Sequence, residues 1–312
     1  MAMGEMQKFG ANGTPLDFND LAAAFLEGRN ERTRAAYRLD LIAFAAFVGV
    51  PDASRAAQEL LARGPGAANR LVLAYRARML EQKLAPATIN RRLAALRSIV
   101  KLARTFGMVA WALEIPGLRS APYRDTRGPG MAGVRAMLQA AALDRTPKGL
   151  RDHALLRLLF DLALRRGEAA GLDLADLDLK AGTLAVLGKG RSEKARLTLP
   201  EPTRAALAAW VGVRGLEAGP LFLNADRARK GGRLTGRSVA RIVAELGASA
   251  GLTVRPHGLR HAAITAALDL TNGDVRSAAK FSRHADVRTL TLYDDARQDL
   301  AGAVAARVAG LA

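Results

Sequence analysis

Six residues of this 312-residue chain have the types and order that suit attack on a phosphodiester: Arg165, Lys189, His257, Arg260, His284 and Tyr293. They stand in Leu164-Arg165-Arg166-Gly167-Glu168, Gly188-Lys189-Gly190-Arg191, His257-Gly258-Leu259-Arg260-His261 and Phe281-Ser282-Arg283-His284, and Tyr293 follows nine residues after His284. Arginine suits the non-bridging oxygens because its planar fork donates parallel hydrogen bonds and keeps its charge. Histidine and lysine move protons, and a tyrosine can be the nucleophile. A phenol with a pKa of about 10 needs a base or a strongly positive surrounding to act. Each piece alone has a plain explanation. His-x-x-Arg fits any surface helix, Gly-Lys-Gly fits many hairpin turns, and a lone tyrosine usually packs through its ring. Three of the four histidines, however, fall within 257–284. The G-x-x-x-x-G-K-[ST] spacing is absent, and no acidic cluster accompanies the basic residues, so neither ATP, a metal nor another cofactor is expected.

The elements that must position these residues are mostly helical. Tyr37, Leu41, Phe44 and Val48 recur at helical spacing, as do Ile89, Leu93, Leu96 and Val100, with Arg91, Arg92 and Arg97 off the second stripe. Together with 58–61 and 69–82 they predict a small all-helical domain over 18–112 after a disordered leader, 1–17. Residues 113–130, rich in proline, glycine and arginine, read as a linker. Helices are expected at 131–143 and 150–164. Short β-runs at 177–179, 183–187 and 195–199 then predict a small antiparallel sheet with Lys189 in a turn. Helices follow at 201–214, 236–250, 258–269, 273–281, 286–293 and 296–311.

The chain carries 47 lysines and arginines against 29 acidic residues, a net charge of +18. Both parts share the excess, with +7 over residues 1–112 and +11 over 113–312. Two basic domains favour one polyanion, and nucleic acid stands ahead of a membrane surface as the partner. There is no apolar run long enough for a membrane span, no signal core and no cysteine, which fits a cytoplasmic protein.

In this order, the motifs resemble those of the tyrosine recombinase (phage integrase) family, from about residue 19 to the end. Leu164–Glu168 matches its first arginine box, Gly188-Lys189-Gly190 its hairpin lysine, His257–His261 its His-x-Leu-Arg-His box, and His284 with Tyr293 its last box. The helical region resembles the family's core-binding domain through Thr33-x-x-x-Tyr37 and Thr88-Ile89-x-Arg91-Arg92-Leu93. Two departures stand out. Arg283 occupies the usual glycine of Leu-Gly-His, and Leu162-Ala163 replaces the usual Thr-Gly before the first box.

The resemblance implies a mainly α fold with a small antiparallel sheet. A helical core-binding domain would precede an α+β catalytic domain over 131–312, as in the simple two-domain Xer-like and Cre-like recombinases. It further implies a clamp on double-stranded DNA with inverted-repeat half-sites, at which Tyr293 forms a 3′-phosphotyrosyl link. Lys189 would protonate the leaving 5′ oxygen, Arg165 and Arg260 would stabilise the phosphorane, and His257 and His284 would assist. Arg91, Arg92, Arg97 and Arg191 are expected to contact DNA. Four copies would assemble through the tail 296–311, with accessory recombination proteins where the reaction needs them, in a bacterial nucleoid-associated setting. Two other readings remain: a type IB topoisomerase-like monomer, and a non-catalytic DNA-binding protein.

Overall fold

A computed structural model describes residues 21, 24–25, 27, 31–119, 128–188, 190–225, 231–284, 286–287, 290 and 300–311. The chain divides into two units, Met1–Ala121 and Pro122–Ala312.

In the first unit, α1 (Glu31–Val48), α2 (Ala53–Ala62), α3 (Gly64–Glu81) and α4 (Pro86–Thr105) surround one core. Asp52 caps α2 by accepting from the Arg55 amide at 2.8 Å, and Pro86 opens α4 at a position where a missing N–H is harmless. The stripe of α4 is fully used: Ile89, Leu93, Leu96 and Val100 are all buried. On α1, Leu41 and Phe44 are buried while Tyr37 and Val48 pack at the edge. Each fully buried side chain of this size is worth about 1.5–3 kcal/mol. The stretch expected as a linker starts inside this unit. Leu113 and Ile115 belong to its core, and Asn90 brackets the Leu118 backbone, accepting from its N–H at 2.7 Å and donating to its carbonyl at 2.9 Å.

Among its described residues the second unit opens with Gly128, close against a later helix, and Pro129, then α5 (Gly130–Leu143), α6 (Pro147–Asp161) and the short α7 (Arg166–Ala170). A 3-10 turn at Leu174–Asp176 leads into β1 (Leu177–Asp178), β2 (Thr183–Leu187) and β3 (Lys194–Thr198). These form one antiparallel sheet in the order β1-β2-β3, with Leu177 opposite Leu184 and Leu187 opposite Lys194. On β2 the side chains alternate, and Leu184 and Val186 enter the core. Then come α8 (Glu201–Arg214), α9 (Gly236–Ser249), α10 (Pro256–Leu270), α11 (Val275–Ser282) and α12 (Leu300–Ala309). The main core gathers Leu155, Leu159, Leu207, Phe222 and Ile242. A second, small cluster of Ala163, Ala263, Ile264, Ala278, Ala279 and Leu290 joins α10 and α11 to the chain after α6. Its alanines let these segments approach closely. Among the described residues, no helix is long and apolar enough to cross a membrane.

The helix expected over 150–164 ends early. α6 stops at Asp161, Ala163 takes a left-handed φ of 45°, and Arg165 is extended as the cap of α7. Arg165 and Arg166 are therefore not neighbours on one helix, as adjacent arginines there would have been. Residues 291–299, and most of the helix expected at 286–293, lie outside the described residues.

Candidate active site

The turn between α6 and α7, the start of α10 and the end of α11 bring Arg165, His257, Arg260 and His284 together. Lys189 and Tyr293 lie outside the described residues. Gly190 next to Lys189 has φ 74°, and the Arg191 amide donates to the Gly188 carbonyl at 3.1 Å, so a tight turn joins β2 to β3 there.

Arg165 is held by its own helix. Glu168, three residues on, accepts from the Arg165 amide at 2.9 Å and from its Nη1 at 2.7 Å, and this pair of bonds aims the guanidinium. The Arg165 side chain stays 30% exposed. Glu168 is buried and also accepts from Arg283 Nη2 at 3.1 Å. Burial alone would raise the Glu168 carboxyl. The Arg165 hydrogen bonds and the Arg283 and Arg165 charges outweigh it and hold the group below the usual carboxylate range.

Arg260 is 3% exposed, on the inward face of α10. Its Nη1 donates to the Ala163 carbonyl, its Nη2 to the Ser282 carbonyl at 2.5 Å, and Nη2 also lies 3.4 Å from His284 Nε2. The chain before α5 passes close over the first turn of α10. A Cβ at Gly128 would lie 2.2 Å from the Gly258 carbonyl oxygen, so glycine is required.

His284 follows the C-terminus of α11. Ser282 Oγ donates to the Ala278 carbonyl at 2.7 Å and lies 2.7 Å from His284 Nδ1. With the hydroxyl proton so committed, Nδ1–H is the donor to Ser282, and Nε2 presents its lone pair towards Arg260. Burial lowers the pKa of His284 to about 4, with the charges of Arg260, Arg165, Arg283 and His257 adding to the shift. His257, at the start of α10, also titrates below the usual histidine range through desolvation and the Arg260 charge. Both imidazoles are thus neutral at pH 7.

A sign follows for stability. A histidine that refuses a proton when folded but accepts one near pH 6.5 when unfolded loses stabilising power as pH falls through the interval between the two values. We expect the urea midpoint of the parent to fall from about pH 6.5 down to about 4, with His257 acting in the same direction. In His284→Gln part of this fall is gone, so the gap between variant and parent shifts in the variant's favour as pH drops. Parallel midpoints across that range would contradict the desolvated site.

Of the arginines expected at DNA, two have partners inside the first unit. Arg91 Nη1 bonds Asp40 Oδ2 at 2.8 Å, with its side chain 42% exposed. Arg92 faces inward, 3.8 Å from Asp40 Oδ1, and donates to the Tyr75 hydroxyl at 3.3 Å. Asp40 is buried, and that burial pushes its carboxyl upward against the pull of both arginines. Arg97 is half-buried and Arg191 is exposed. Sequence reasoning gave Ser282 no part in the site and took Arg283 only as a departure adding charge and bulk beside it. A hydroxyl two residues before His284 was the available signal for the first, and a bulky residue at a usual glycine for the second.

The profile of the phage integrase family matches residues 132–299. A tyrosine recombinase of Synechocystis sp. is 42% identical over 73% of this chain and 74% of its own length. The chain belongs to the phage integrase family. A second tyrosine recombinase, from Synechococcus elongatus, is 38% identical over 92% of this chain and 91% of its own. Among solved structures, a lambda integrase tetramer bound to a Holliday junction superimposes with a TM-score of 0.64 at 15% identity, over 91% of this chain and 79% of that one. As a member of the family this chain is a site-specific tyrosine recombinase, with the mainly helical fold and small sheet expected of it.

Proposed function

We propose that the recombinase cuts and rejoins double-stranded DNA at inverted-repeat half-sites, through a 3′-phosphotyrosyl link on Tyr293, in a tetrameric synapse. The observation that carries this reading is the convergence of Arg165, Arg260, His257 and His284 on one spot, with Arg165, Arg260 and His284 already bonded in place. Three guanidinium groups, those of Arg165, Arg260 and Arg283, lie with the Glu168 carboxylate and two neutral imidazoles. Such a surplus of fixed positive charge suits a phosphorane, whose equatorial oxygens gain charge as the nucleophile adds.

The steps balance without a cofactor. The Tyr293 oxygen bonds to phosphorus, the bond from phosphorus to the 5′ oxygen breaks, and that oxygen receives a proton from Lys189. A neutral histidine, His257 or His284, accepts the phenolic proton. The reverse sequence, with a 5′ hydroxyl from another strand, reseals the backbone. The net charge of +18 suits a long track of phosphate contacts, and exposed Arg191 and half-exposed Arg91 are the best placed of the four expected DNA ligands. Val308 on the tail helix α12 and Leu311 just after it are exposed, which fits a role in holding a neighbouring subunit. The lambda integrase tetramer on a junction supplies a fold-level parallel for that assembly.

Covalent trapping on a nicked suicide duplex tests the reading. A second test isolates the leaving group. Lys189→Ala should slow cleavage of ordinary DNA by about 10²–10⁴-fold, the range for losing a general acid. On a substrate with sulfur at the bridging 5′ position it should recover to near the parent rate, because a thiolate leaves without a proton. Equal defects on both substrates would remove Lys189 from that role.

A further inference from the structure

We propose that Arg283 is a positioning residue of the recombinase, whose guanidinium clasps the end of α11, and with it His284, to the turn that presents Arg165. This rests on the assignment of Arg165 and His284 to the phosphodiester site. Arg283 caps α11 in the left-handed region, φ 56° and ψ 42°, a conformation that L side chains rarely adopt and glycine adopts freely. A bulky residue here therefore carries a backbone cost that glycine would not. Its side chain is only 13% exposed, and its Nε is buried with no hydrogen-bond partner among the described residues, which is a second cost.

The contacts that offset these costs nearly all point one way. Nη1 donates to the Leu162 carbonyl at 2.9 Å, and Nη2 to the Ala163 carbonyl at 3.2 Å and to Glu168 Oε2 at 3.1 Å. One further bond, from Nη1 to the Phe281 carbonyl at 3.2 Å, closes the guanidinium onto its own turn. In return the Arg283 carbonyl accepts from Arg165 Nη2 at 3.4 Å. The clasp thus runs in both directions between the two segments. Ala163, itself left-handed at φ 45°, offers its carbonyl to Arg260 as well as to Arg283. Two left-handed non-glycine residues therefore face each other across the site, tied by one guanidinium. A lysine could reach one of these acceptors but could not span them, because its ammonium is a single point donor.

The test compares Arg283→Met, which keeps bulk, Arg283→Gly, which also relieves the backbone, and Arg283→Lys. Single-turnover cleavage of a nicked suicide duplex at saturating protein is measured beside DNA affinity, its salt dependence and thermal unfolding. We expect Met and Gly to lower the cleavage rate constant about 10–100-fold per folded molecule, the scale of a small misplacement of reacting groups, with affinity and salt slope unchanged. Lysine should recover part of the loss. Glycine should unfold no earlier than Met, which separates the backbone from the guanidinium. Should Met fail to fold, Gly decides by the same criterion. Cleavage within about threefold of the parent in the folded variants would overturn the clasp. So would a loss that appears as weaker binding with a shallower salt slope, which would make Arg283 a phosphate ligand instead. Arg165→Ala run alongside tells the two failures apart. Parent-rate cleavage by Arg165→Ala would sink the site assignment, whereas a defect there with none in Arg283→Met would sink only the clasp.

Discussion

Tyr293→Phe is expected to abolish covalent protein–DNA adducts on a nicked suicide duplex while leaving DNA binding intact. The substitution removes one oxygen and keeps the ring. If that oxygen is the nucleophile, the rate should fall by at least about 10⁴-fold, as it does when a covalent enzyme loses its nucleophile. The other tyrosines narrow the choice. Tyr37 stacks on Phe25 with ring centroids 5.5 Å apart in the first unit. Tyr75 is 2% exposed in the same core, and its burial raises the phenol's pKa despite Arg92, the wrong direction for a nucleophile. Tyr123 falls in the stretch 113–130 read from sequence as a linker and lies outside the described residues. Peptide mapping of the parent adduct should place the DNA on Tyr293. An adduct that persists in the Phe variant, or one mapped to a serine, would overturn the mechanism.

Arg260→Ala is expected to lower cleavage by about 10²–10³-fold or more, the cost of deleting one donor to a developing oxyanion. The side chain is buried, so the change also leaves the Ser282 carbonyl without its Arg260 donor, at about 1–3 kcal/mol for a buried group so abandoned, while the Ala163 carbonyl keeps Arg283. Rates must therefore be normalised to folded protein, with thermal unfolding run in parallel. Arg165→Ala is the cleaner companion, since that side chain is partly exposed and its main partner, Glu168, keeps Arg283. DNA affinity should change far less than rate in both. Parent-rate cleavage by either folded variant would take that arginine out of the site.

The family and the order of the site motifs were legible because they are properties of spacing. His257 and Arg260 are three apart, and Tyr293 is nine past His284, whatever the fold does between the boxes. Most helices were legible for the same reason: the stripe from Ile89 to Val100 needs only the helical period, and it is buried in full. The sheet was read from β-runs and glycine turns, and its register agrees with one buried face on β2.

What local pattern did not contain is every feature decided by residues far apart in the chain. Leu162, Ala163 and Leu164 are good helix formers, so 150–164 read as one helix. The chain leaves the helix after Asp161, and the Ala163 carbonyl is bonded by Arg260, 97 residues on, and by Arg283, 120 residues on. Arg91 and Arg92 read as a basic surface, yet Asp40, buried on α1, draws on both. Neither outcome has a signal within one helical turn of the residue concerned. The sequence by itself determined which residues are chemically equipped and roughly where the helices run, because residue type and period are local. Only the tertiary structure decided which of the arginines aim at one another and which turn into the core. That choice depends on long-range hydrogen bonds that outweigh local backbone preference.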